Sequence, residues 1–97
     1  MSTTPLQGLK VLDLSKVLAG PLCAQYLGDM GADVVKVEAA EHGDETRGWP
    51  PFRQDTDGGR TGTVFLSANR NKRSLAVDLR SDGGREVVLT LADQADV

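Results

Sequence analysis

Four short stretches hold side chains that could carry chemistry. The first is Ser15-Lys16-Val17-Leu18-Ala19-Gly20-Pro21, which follows an apolar run and precedes a helical pattern. At the carboxyl end of a strand in an α/β sheet, the free N–H groups of such a turn attract phosphate or carboxylate. It carries one glycine, so it is not the G-x-G-x-x-G fingerprint of dinucleotide enzymes, and a plain βα turn is the competing reading. The second is Glu38, at the end of a valine-rich run, where a dinucleotide enzyme places its ribose-binding acid; without the accompanying glycines, a solvated strand-end charge is the better reading. The third is Gly43-Asp44-Glu45-Thr46-Arg47-Gly48-Trp49, which suits either a ligand-contacting lid or a local salt bridge with a packing aromatic, the latter favoured. The fourth is Asn69-Arg70-Asn71-Lys72-Arg73 with Arg80 beyond it, cations that could face phosphate or lie on a solvated turn.

Two further residues are set aside. His42 is the only histidine and has no serine or cysteine motif around it, which argues against a catalytic dyad. Cys23 reads as part of an apolar helix face, and one cysteine with one histidine makes no metal site.

The elements that must position these residues are legible from periodicity. Lys10 to Leu14 is a short apolar run that predicts a buried strand. Pro21 marks the first position of a helix whose Cys23, Tyr26, Leu27 and Met30 share one face. Gly31 ends that helix and Asp33 to Glu38 predicts a second strand. Strand, helix, strand within about thirty residues is the size of a right-handed βαβ crossover, hence an α/β fold with a parallel sheet. From Ala39 to Gly62 the periodicity is lost among Pro50, Pro51 and five glycines, and a long loop is expected. Thr63 to Ala68 fits a helical turn or an extended piece. Ser74 to Leu79 predicts a third strand, and Ser81 caps a last helix with Val87, Val88, Leu91 and Ala95 inward and its first turn weakened by Gly83 and Gly84. Asp96-Val97 reads as the start of another strand.

The chain has 97 residues, 39% hydrophobic and 26% charged, with a net charge of −3. That is a globular balance for a single small domain, and it gives no reason to expect nucleic acid or an anionic membrane as partner. One cysteine excludes a disulfide framework within the chain and suits a reducing compartment. Met1 to Gln7 lacks the pattern of a signal peptide, and no apolar stretch approaches the ~20 residues of a membrane span. A cytoplasmic location is expected.

In order and spacing these segments resemble the amino-terminal part of the class III CoA-transferases, the CaiB/BaiF family. The resemblance runs from Pro5 to Val97 and is carried by Leu6-Gln7-Gly8-Leu9-Lys10-Val11-Leu12-Asp13-Leu14, by Leu18-Ala19-Gly20-Pro21 and by Leu27-Gly28-Asp29-Met30-Gly31-Ala32-Asp33-Val34-Val35-Lys36-Val37-Glu38. It continues through the segment from Gly43 to Trp49, through Asn69-Arg70-Asn71-Lys72-Arg73-Ser74, and through Asp78-Leu79 and Ala95-Asp96-Val97.

The resemblance implies that residues 1–97 are the first part of a Rossmann-like, CoA-binding domain of a longer protein. It implies transfer of CoA between carboxylic acids, with an aspartate carboxylate attacking the donor thioester to give a mixed anhydride and then an enzyme–CoA thioester. It also implies an interlocked homodimer. CoA contacts would fall on Val17, Leu18 and Ala19, on Ala39, and on Val77, Asp78, Leu79 and Arg80. Leu18 stands where some formate- and oxalate-type members carry glutamine, which argues against their substrate, and Ala39 replaces an arginine of some members. The family's nucleophile falls beyond Val97, and Asp13, Asp44 and Asp78 do not match its motif, so no catalytic residue is assigned. Acyl-CoA racemases of the same family, a dinucleotide-binding oxidoreductase domain and an inactive CoA-binding fragment are the alternatives.

Overall fold

The computed structural model describes residues 3–97; the reading of the first residues as unlike a signal peptide falls partly on Met1 and Ser2, outside them. Strand β1 (Lys10–Asp13) leads to helix α1 (Ala19–Asp29) and strand β2 (Asp33–Ala39). A 3₁₀ turn (Glu45–Gly48), strands β3 (Phe52–Gln54) and β4 (Arg60–Gly62), helix α2 (Thr63–Ala68), strand β5 (Lys72–Val77) and helix α3 (Asp82–Gln94) follow. The main sheet has the order β1-β2-β5, with both pairs parallel. Parallel neighbours cannot be joined by a tight turn, so α1 provides the first crossover. On the free edge of β1, Leu12 N–H donates to the Val97 carbonyl at 2.9 Å, and Asp96 N–H donates to the Lys10 carbonyl at 2.8 Å. The residues read as the start of a strand thus bond to β1 on the side opposite β2.

One face of this sheet changes character along its length. The register aligns Val11 with Val34 and Lys72, then Asp13 with Lys36 and Ser74, then Glu38 with Ala76. Alternate residues share a face, so Val11 and Val34 stand behind Asp13, Lys36 and Glu38. The apolar end packs Val11, Val34, Ala24 and Ala32 with Leu6, Leu9 and Leu27, each fully buried valine contributing roughly 1.5–3 kcal/mol. The carboxyl end is ionic and equally buried: Lys36 is 1% exposed.

Helix α1 departs from the expected face. Pro21, Ala24, Gln25 and Gly28 are buried, whereas Cys23 is exposed, Tyr26 is 58% and Met30 41% exposed, and only Leu27 of the expected set is half-buried. Small residues let the helix approach closely: a Cβ on Gly28 would stand 3.1 Å from the Asn71 carbonyl oxygen. The buried Gln25 side chain earns its place by accepting from Arg70 N–H at 2.7 Å and donating to the Ser67 carbonyl at 3.2 Å. The helix also starts at Ala19, two residues before Pro21, which still lies in the first turn where its missing N–H needs no partner. Gly31 ends it at φ 104°, in the left-handed region that favours glycine.

The expected long loop is structured. Gly58, at φ 92°, closes the turn between β3 and β4, and Asp55 N–H donates to the Gly59 carbonyl at 2.8 Å. Thr63 to Ala68 is helical. Strand β5 begins two residues earlier than expected, taking Lys72 and Arg73 out of the anticipated connector. In α3, the Ser81 hydroxyl accepts from Gly84 N–H at 2.9 Å as a cap; Val88, Leu91 and Ala95 are half-buried, but Val87 is exposed.

Candidate functional site

The carboxyl ends of β1, β2 and β5 open into one cleft of about 520 Å³. Leu14, Ser15 and Lys16 line it from β1, Glu38 to Glu45 from the end of β2 and the segment after it, and Val77 to Arg80 from β5, with Val88 of α3 behind. Crevices at the carboxyl ends of parallel strands are where open α/β sheets bind ligands. Of the residues expected at the site, Ala39, Val77, Asp78, Leu79 and Arg80 lie together on this lining. Val17, Leu18 and Ala19 do not line it; they follow Lys16 directly and carry the chain into α1.

Sequence reasoning missed the floor of this site. Lys36 donates to the Ser15 carbonyl at 2.9 Å and pairs with Asp44 at 3.0 Å, both side chains buried. Asp44 Oδ2 also accepts Val17 N–H at 3.3 Å, while its Oδ1 accepts from Thr46 N–H at 3.0 Å and from the Thr46 hydroxyl at 2.8 Å. Burial raises the Asp44 pKa, but the Thr46 and Lys36 bonds outweigh it and hold the carboxyl below its ordinary value. The signal was the lysine inside a valine-rich strand, a position where a cation is kept only with a partner.

Glu38 is neither a solvated charge nor a free ribose ligand. It is buried, its Oε1 accepting from Arg47 Nε and Asp44 N–H, each at 2.7 Å, and its Oε2 accepting from Arg47 Nη2 at 2.7 Å and from the Ser74 hydroxyl. Burial pushes its pKa up, but these bonds overcome it and bring the value down to about 2. The same guanidinium lies over the Phe65 ring, 3.8 Å from its centre. Arg47 therefore makes the local salt bridge favoured from the sequence, whereas Trp49 is 40% exposed.

The basic stretch divides. Lys72 is buried and donates to Asp13 at 2.8 Å, the Pro21 carbonyl at 2.9 Å and Asn69 at 2.8 Å. Burial lowers the Lys72 pKa despite the pull of Asp13, and that of Asp13 is lowered because its bonds from Lys72 and Ser15 exceed the effect of burial. Arg70 pairs with Asp29 and Arg73 with Asp33, both outside the cleft. Arg80 remains, its side chain 96% exposed on the lining. His42 also lines the cleft, its Nε2 3.6 Å from the Glu41 carboxylate. Among the described residues no cluster has the makings of a metal site and no helix is long and apolar enough to cross a membrane.

Sequence and fold are both shared with known proteins. The family model for CoA-transferase family III matches residues 6–97. The succinyl-CoA:mesaconate CoA-transferase of Haloarcula hispanica is 54% identical over 92 residues, covering 95% of this chain and 23% of that protein. The mouse (Mus musculus) succinyl-CoA:glutarate CoA-transferase is 47% identical over 96 residues, covering 99% of this chain and 21% of its own. A crystal structure of a CAIB/BAIF family protein from Brucella suis superposes with a TM-score of 0.91 at 49% identity, over 98% of this chain and 25% of that one. The chain thus spans about a quarter of the length of the relatives it matches. With the match extending over nearly every residue described, through both crossovers and the buried ionic floor, the chain belongs to CoA-transferase family III.

Proposed function

We propose that the protein to which this chain belongs moves CoA from succinyl-CoA to a dicarboxylic acid, and that the cleft holds part of the CoA. The observation that carries this reading is the convergence of Ala39 with Val77, Asp78, Leu79 and Arg80 on a single lining at the strand ends. Relatives named for succinyl-CoA:glutarate and succinyl-CoA:mesaconate transfer support the donor and the acceptor class. Val17, Leu18 and Ala19 extend the CoA contact along the first turn, and Arg80 offers an exposed cation to a phosphate.

The reaction proceeds through a carboxylate nucleophile. Its attack on the thioester carbonyl expels the CoA thiolate and leaves a mixed anhydride. Return of the thiolate to the enzyme's acyl carbon releases the donor acid and leaves an enzyme–CoA thioester, and the acceptor carboxylate then repeats these steps in reverse. The nucleophile lies outside this chain. Asp13 is engaged by Lys72 and Ser15, Asp44 by Lys36, Thr46 and Val17, and Asp78 accepts Arg80 N–H at 3.0 Å. Asp13 and Asp44 are buried carboxylates already saturated by donors and so poor nucleophiles, whereas Asp78 is exposed and is set aside because it does not match the family's nucleophile motif. Residues 1–97 are the first part of the CoA-binding domain, and the complete protein works as an interlocked homodimer in the cytoplasm.

The test is to mix the full-length protein with succinyl-CoA and glutarate or mesaconate and follow thioesters by mass. A new dicarboxylyl-CoA with release of succinate is expected. Exchange of the hydrogen beside the thioester carbonyl of a 2-methylacyl-CoA, without CoA transfer, would replace this reading with the racemase.

A further inference from the structure

Val17 is held at φ 74°. A β-branched residue is strained in the left-handed region, and such strain persists only where the surroundings impose it. The group that holds Val17 itself belongs to a buried pair. Asp44 takes the Val17 N–H at 3.3 Å, and Lys36, 3.0 Å from the same carboxylate oxygen, takes the Ser15 carbonyl at 2.9 Å. The pair thus grips the turn at two backbone points two residues apart.

The carboxylate that does this cannot rotate freely. Its other oxygen is fixed by the Thr46 N–H and hydroxyl, and the Asp44 N–H is fixed by Glu38, itself locked by Arg47. At the far end of the turn, Gly20 packs so closely on Ser15 that a Cβ would fall 2.3 Å from the Ser15 Cβ. The turn is therefore fixed at Ser15 by Asp13 and Lys36, and at Val17 by the segment after β2.

We infer that Asp44 is a positioning residue: it holds Val17 in the left-handed conformation that presents the Val17–Ala19 backbone to the acyl-CoA substrate. This rests on the reading that CoA contacts that turn.

The experiment is a double-mutant cycle in the full-length protein with Asp44→Ala, Val17→Gly and the pair, reading KM for succinyl-CoA against kcat. Glycine adopts positive φ without a clamp, so the two changes should not add. Asp44→Ala is expected to raise KM about 10-fold, with kcat falling by much less. The double variant should then return to the KM of Val17→Gly alone. Additive effects on KM, or a loss of folded protein with KM unchanged, would overturn the inference. If Asp44→Ala does not fold, Asp44→Asn and hydrogen exchange at the Val17 amide replace it. Faster exchange there than at Thr46 supports the clamp, and unchanged exchange refutes it. A wild-type protein that binds no CoA overturns the functional reading, and amide exchange still decides whether Asp44 fixes the turn.

Discussion

The Asp44 carboxylate reaches across 27 positions of sequence to accept the backbone N–H of Val17. One segment after β2 is thereby tied to the turn after β1. The buried ion pairs behind this tie make their own demands on stability.

Lys36 and Asp44 are both almost wholly inaccessible. Replacing Lys36 with Met leaves a buried carboxylate without its cation, and should cost about 3–5 kcal/mol. Lys36→Met combined with Asp44→Asn should cost less than Lys36→Met alone, because no charge is then stranded. Urea unfolding of the four proteins measures the coupling.

Acid should weaken the fold through Glu38. Its pKa is 4.5 ordinarily and about 2 when folded. A lowered folded pKa contributes stability that is complete above pH 4.5 and is lost as pH falls towards 2, on the order of 3 kcal/mol. Asp13 and Asp44 are lowered in the same sense and add to the acid limb. Glu38→Gln should be less stable at neutral pH and show a shallower decline between pH 5 and 2. Thermal melting across that range checks it.

Gly83 and Gly84 look alike in the sequence but should respond oppositely. A Cβ at Gly83 meets nothing within 4 Å, whereas one at Gly84 would lie 2.0 Å from the Asp78 carbonyl oxygen. Gly83→Ala should stabilise by up to about 1 kcal/mol through helix propensity. Gly84→Ala should destabilise by about 1–3 kcal/mol by pushing α3 off the end of β5. Melting temperatures of the two variants decide.

Arg80 is exposed on the cleft lining, its Nε 3.9 Å from the Asp78 carboxylate, and its effect should be electrostatic. Arg80→Ala should raise KM for the CoA substrate a few-fold, with a smaller effect on kcat. The penalty should shrink as salt rises, as it does for an exposed charge meeting phosphate. A KM series at two ionic strengths measures this.

The parallel βαβ unit was legible because valine runs, a proline in a first helical turn and Gly31 each point the same way. The face of α1 was not: apolar size suggested Cys23, Tyr26 and Met30, whereas close packing selected Ala24 and Gly28. The segment from Ala39 to Gly62 carries no periodicity because its order comes from polar bonds to residues outside it, such as Arg47 to Glu38 and Asp44 to Val17. Asp44 and Lys36 escaped notice as supports of the site because their bonds to Val17 and Ser15 form only once β2 is placed beside β1. The lining at Ala39 and Val77 to Arg80 was named only through the family resemblance.

The central claim is that CoA rests at the ends of these strands. Hydrogen exchange of the full-length protein with and without CoA tests it most directly. Slowed exchange at Val77 to Arg80 and across the turn from Ser15 to Ala19 is the predicted result. CoA binding that leaves both segments unchanged and protects others instead would contradict it.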